Sequence, residues 1–69
     1  MGMEMKIRLN GREADVTAEN VADLVSAYNL DTGMMVVEKN GSIVHREDYR
    51  AAAVSEGDVI EIVRIVGGG

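Results

Sequence analysis

Two Asn-Gly pairs, Asn10-Gly11 and Asn40-Gly41, do most to restrict how this chain can fold. Asn-Gly best tolerates the positive φ angles of a two-residue type I′ turn, so each pair predicts a hairpin where strand-like sequence flanks it. Upstream of the first pair, Met3, Met5, Ile7 and Leu9 alternate with Glu4, Lys6 and Arg8. That is the period-two pattern of a half-buried strand over residues 3–9. A partner strand over residues 12–17 should return and bury Ala14 and Val16. The second pair joins a strand over residues 34–39 to a short one over residues 42–44. If Met35 and Val37 face the core, Glu38 faces water and Val36 shares its exposed side.

Between the hairpins, Val21, Leu24, Val25 and Tyr28 stand at i, i+3, i+4 and i+7, which predicts one helix with those four on its buried face. Asn20 suits the N-cap, with Asp23 near the positive end of the helix dipole. Asn29 and Asp31-Thr32-Gly33 are loop formers that end the helix near Tyr28, and Leu30 is expected to tuck back as an anchor. Residues 46–49 read as a helical turn, 51–54 as an apolar connection and 55–58 as a turn by composition.

The last strand, over residues 59–66, has two distinguishable faces. Ile60 and Ile62 share one parity. Val59, Glu61, Val63 and Ile65 share the other, and a glutamate is almost never buried without a partner, so that side faces out. Val63 and Ile65, extended by Val36 on the neighbouring strand, would then form an exposed apolar docking surface. Arg64 has core-side parity near the strand end, from which it can snorkel outwards or meet an acidic group on a partner. The strand runs into Val66-Gly67-Gly68-Gly69. Without Cβ atoms such a tail can enter a channel too narrow for side chains, which makes the terminal carboxylate a candidate functional group. Frayed chain ends share this composition, so the fold must decide.

A chain of 69 residues is a single domain that buries roughly 60% of its unfolded surface. Tyr28 and Tyr49 are its only aromatics, so the core is expected from Val, Ile, Leu, Met and Ala. The absence of cysteine excludes disulfides, thiolate metal sites and a catalytic thiol. A net charge of -5 argues against nucleic acid and for a cationic partner. The acidic residues are spread along the chain, which predicts solvated surface. There is no apolar run of roughly 18 residues to span a membrane and no apolar signal segment in residues 1–8, so a cytoplasmic protein is expected, with Met1-Gly2 as a ragged start. His45 lacks a second histidine or cysteine for a metal site and is assigned to the surface. No side chain presents itself as catalytic.

The order strand, strand, helix, strand, short strand, helical turn, strand is α+β and resembles the ubiquitin-like β-grasp, a mixed four- to five-stranded sheet packed on one main helix. Within that fold the chain is similar to the ThiS family, the sulfur carriers of thiamin biosynthesis. The likeness is densest from Asn40-Gly41-Ser42-Ile43-Val44 through Arg46-Glu47-Asp48-Tyr49 and from Glu56-Gly57-Asp58 to Gly69. One departure is His45, where the family often has proline. The resemblance implies a β-grasp domain over residues 1–66 and a flexible glycine tail over residues 67–69. It further implies that Gly69, with Gly68 behind it, carries sulfur: an ATP-dependent, ThiF-like enzyme adenylates the carboxylate, which becomes a thiocarboxylate, and the sulfur passes to a ThiG-like thiazole synthase. Val66 and Gly67 would thread the tail, while Val36, Val63, Ile65 and Arg64 would meet the partners. The protein would then be a co-substrate, monomeric when free, binding no cofactor itself and leaving ATP to the activating enzyme. Three other readings stay open, a molybdopterin synthase small subunit, a ubiquitin-like modifier and a plain β-grasp interaction module whose glycines do nothing. The short chain and the Ile65-Val66-Gly67-Gly68-Gly69 ending favour thiamin.

Overall fold

The structure, a computed structural model, describes residues 4–28 and 35–64. Two hairpins form where the Asn-Gly pairs predict them. β1 (Met5–Leu9) pairs antiparallel with β2 (Arg12–Val16), and β3 (Met35–Lys39) with β4 (Ser42–Val44). Asn10 and Asn40 both adopt φ of 52°, followed by Gly11 at 81° and Gly41 at 87°, the left-handed conformations that a type I′ turn requires. The last strand, β5 (Val59–Arg64), enters between the hairpins, parallel to β1 and antiparallel to β3. The result is a mixed five-stranded sheet in the order β2-β1-β5-β3-β4.

One face of this sheet is covered by α1 (Val21–Ala27), whose Val21, Leu24 and Val25 join Ile7, Val37, Ile60 and Ile62 in one buried cluster. The helix is short, so its stability depends on this packing and on its N-terminal hydrogen bonds. Three of the N–H groups that a helix start leaves without an intrahelical partner, those of Val21, Ala22 and Asp23, find acceptors outside the helical ladder, and that of Leu24 makes the first intrahelical bond. Val21 donates to the Ala52 carbonyl at 2.9 Å and Ala22 to the Tyr49 carbonyl at 3.1 Å. Asp23 donates to Asn20 Oδ1 at 2.8 Å, and Leu24 to the Asn20 carbonyl at 3.1 Å. The segment after the 3-10 turn (Arg46–Asp48) therefore supports the helix as well as linking β4 to β5.

Three expectations need correction. Tyr28 is not on the buried helix face. The helix ends at Ala27, Tyr28 takes the C-cap conformation (φ -95°, ψ 9°), and its side chain is 44% exposed because the helical projection no longer holds there. Tyr49 does enter the core, so the interior is not purely aliphatic. Asp58 is buried, in contrast to the solvated role expected of the acidic residues, and it has partners that make this tolerable. The expected anchor Leu30, the strand residues Met3 and Met34, and residues 65–69 lie outside the described residues.

The parity of β5 is as expected, with Ile60 and Ile62 buried and Val59, Glu61 and Val63 exposed. Ile62→Asp should place an uncompensated charge in the core at a cost of about 3–5 kcal/mol, comparable to the whole stability of a domain this small. Val63→Asp, at a position 52% exposed, should shift stability by no more than about 0.5 kcal/mol. Thermal melts of the two variants check this, and equal losses would mean that the faces had been reversed.

Candidate docking face beside the last strand

β5 is held at its start and again at its fourth residue by side chains of the two turns. At its start, Asn40 Oδ1 accepts from the Val59 N–H at 2.9 Å while the Asn40 N–H donates to the Val59 carbonyl at 2.7 Å. Asn40 Nδ2 also donates to Asp58 Oδ1 at 3.1 Å. The other carboxylate oxygen of Asp58 accepts from the Ser55 N–H at 2.8 Å and lies 3.9 Å from Lys39 Nζ. Farther along, Asn10 Oδ1 accepts from the Ile62 N–H at 2.7 Å. The Asn-Gly pairs were legible as turns. Their second role, as acceptors for β5, depends on a strand far away in sequence and has no local signal.

The sheet face away from α1 is organised by cross-strand pairs between β5 and β3. Val63 stands opposite Val36, and Glu61 opposite Glu38. Ile43 of β4 lies opposite Glu38 on its other side and is 59% exposed. An apolar pair thus sits at the end of β5 from which the chain continues towards the tail, with two glutamates behind it and an exposed isoleucine flanking them. Two of the expected partner-binding residues, Val36 and Val63, are brought into direct register. Arg64 pairs with Met35 at the next step and is exposed, so its core-side parity does not bury it. Ile65, Val66, Gly67, Gly68 and Gly69 lie outside the described residues. Ile43 was not anticipated, because a three-residue strand is too short to reveal its faces by periodicity.

At the opposite end of the same face, an open depression of about 330 Å³ is bordered by Lys6, Arg8, Glu13 and Glu56. Its charges are mixed, and Lys6 Nζ lies 4.0 Å from Asp15. His45 is exposed, and its carbonyl accepts from the Asp48 N–H at 2.8 Å to start the 3-10 turn. Among the described residues, no three His, Cys, Asp or Glu side chains are grouped to hold a metal ion.

Known proteins are similar over nearly the whole chain. The ThiS family model matches residues 7–69. The sulfur carrier protein ThiS of Bacillus subtilis is 35% identical over 65 residues, which cover 91% of this chain and 98% of that one. A thiazole synthase of Paramagnetospirillum magneticum is 38% identical over 66 residues, 94% of this chain but only 20% of that protein. Among solved structures, the crystal structure of the thiamine biosynthesis protein ThiS from Geobacter metallireducens aligns with a TM-score of 0.80 at 36% identity, covering 94% of this chain and 100% of that one.

Glu38 and Glu61 face each other directly, and like charges in such a pair are destabilising. Glu38→Lys should therefore raise Tm by about 2–6 °C at low ionic strength, as expected from a pair worth up to about 1 kcal/mol in a domain of this size. The gain should shrink at about 1 M salt, where the Debye length is about 3 Å. Melts across a salt series check this, and an unchanged Tm at low salt would show that the two carboxylates do not interact.

Proposed function

The chain belongs to the ThiS family and is a sulfur carrier of thiamin biosynthesis with the β-grasp fold; from that premise, we propose that its working group is the carboxylate of Gly69. The observation that carries this reading is the reach of the family match, which runs through the glycines to residue 69. The chemistry follows from the limits of a carboxylate, which is anionic near neutral pH and resists nucleophiles. A carboxylate oxygen attacks the α-phosphorus of ATP and pyrophosphate leaves. A hydrosulfide ion, delivered at the sulfide oxidation level by the activating system, then adds to the acyl carbon, expels AMP and loses its proton, giving a thiocarboxylate. Its sulfur is the better nucleophile and is delivered to the thiazole under construction. The protein acts as a co-substrate throughout.

In this reading, residues 1–66 form the β-grasp domain and residues 67–69 the tail. Val66 and Gly67 lead Gly68 and Gly69 into the activating site, while Val36, Val63, Ile65 and Arg64 contact the partners. Those partners are a ThiF-like adenylating enzyme, which uses ATP, and a ThiG-like thiazole synthase. Support for the second comes from thiazole synthases that contain a region similar to this chain. Support for the docking face comes from the Val36–Val63 pair at the tail end of β5. No helix among the described residues is long and apolar enough to cross a membrane, and the proposed site of action is the cytoplasm.

Deleting Gly69, or adding one residue after it, should abolish loading without lowering Tm, because a misplacement of about 1 Å at a reacting atom can cost on the order of a hundredfold. Gly68→Val should fail as well, since a branched side chain narrows the accessible backbone conformations and meets the channel wall. ATP-dependent thiocarboxylate formation, read from intact mass alongside a melt of each variant, is the measurement. Normal loading of the extended protein, with the extension still present, would falsify the tail reading.

Val63→Asp and Val36→Asp provide a separate test of the docking face. Each should stay folded yet bind the adenylating enzyme more weakly, by roughly tenfold or more if these valines lie at the centre of the contact. Unchanged affinity in both, measured by titration calorimetry, would move the contact elsewhere.

A further inference from the structure

β1 ends at Leu9, and the chain turns away at Asn10-Gly11, so the main-chain pairing of β1 with β5 stops at Leu9 and Ile60. The Asn10 N–H still donates to the Ile60 carbonyl at 2.9 Å, and Asn10 Oδ1 then accepts from the Ile62 N–H at 2.7 Å. A parallel ladder would place a main-chain carbonyl there. An amide side chain takes its place and carries the pairing one step past the end of β1. Beyond Ile62, β3 is the only neighbouring strand of β5 among the described residues, with Val63 opposite Val36 and Arg64 opposite Met35. Asn10 is thus the last clamp on the β1 side of the strand that leads into the tail.

We propose that Asn10 is a positioning residue for sulfur loading, in that its hydrogen bond to the Ile62 N–H fixes the direction in which β5 presents the tail to the adenylating enzyme. This inference rests on the carrier reading. A tail aimed by a strand held on both sides starts its search close to the bound geometry. Release of one side widens the range of exit directions and lowers the fraction of encounters that thread the channel, a loss that appears in KM for the carrier.

Asn40 supplies the control, since its Oδ1 makes the same kind of bond to Val59 at the start of the same strand. Asn10→Gly and Asn40→Gly each keep a residue at ease with φ of 52° and remove the acceptor, whereas Asn10→Asp keeps both the acceptor and tolerance of that φ. Amide exchange of Ile62, Tm, and steady-state loading with the adenylating enzyme are measured for all three and for wild type.

Asn10→Gly should speed Ile62 exchange and raise KM about fivefold or more with kcat little changed. Asn10→Asp should stay within about twofold of wild type in KM, and so should Asn40→Gly, although the latter loses at least as much Tm. Equal KM increases in the two glycine variants would reduce Asn10 to a structural role and overturn the proposal. So would wild-type loading by Asn10→Gly, or failure of Asn10→Asp to rescue. Wild-type protein that takes up no sulfur would overturn the carrier reading itself, which distinguishes that failure from failure of the positioning inference alone.

Discussion

The fold depends on how β5 is held between two hairpins that do not pair with each other. Among the described residues it is the only strand with a partner on both of those units, and each hairpin contributes a turn asparagine to it. Both asparagines therefore have two jobs, adopting a left-handed conformation that few residues accept and offering an amide oxygen to a distant N–H. Asp58 completes the arrangement at the start of the strand. Its burial is tolerable because Asn40 and Ser55 donate to its two oxygens and Lys39 lies near. A side chain that lost those donors would be a liability in the core.

The same strand separates buried from exposed positions over residues 59–63 by parity alone. Ile60 and Ile62 pack beneath α1, and the residues between and beyond them are exposed on the other face. Neither side has to compromise for the other, since successive side chains point to opposite faces. The outer face does carry a tension, because Glu38 and Glu61 confront each other where a neutral or opposite pair would be quieter. The pair lies directly behind the apolar contact, so the two kinds of surface meet any partner in a fixed order from the tail inwards.

Much of this was legible in the sequence because it is encoded locally. The Asn-Gly turns, the alternation in residues 5–9, the Asn20 cap and the two faces of β5 each follow from a few adjacent residues. What was not legible required knowledge of distant neighbours. Tyr28 obeyed the helical spacing, yet the helix stopped one residue before it. Tyr49 and Asp58 sit in segments without periodicity, and their burial is decided by the helix start and by Asn40 respectively. Of the candidate site, the outward parity of Val36 and of Val63 could be read locally, but their mutual register could not. Nor could Ile43 and the grip of Asn10 on Ile62.

The central place of β5 also has a temporal consequence. Each hairpin joins residues close in sequence, and such contacts form early and cheaply. The β1–β5 contact instead joins Arg8 to Val59 and Leu9 to Ile60, nearly the full length of the domain. During synthesis the two hairpins can exist, but nothing joins them into a sheet until Val59–Arg64 has been made. The strand that completes the core is thus the last of the five to be made, and the sheet becomes one unit only when it arrives.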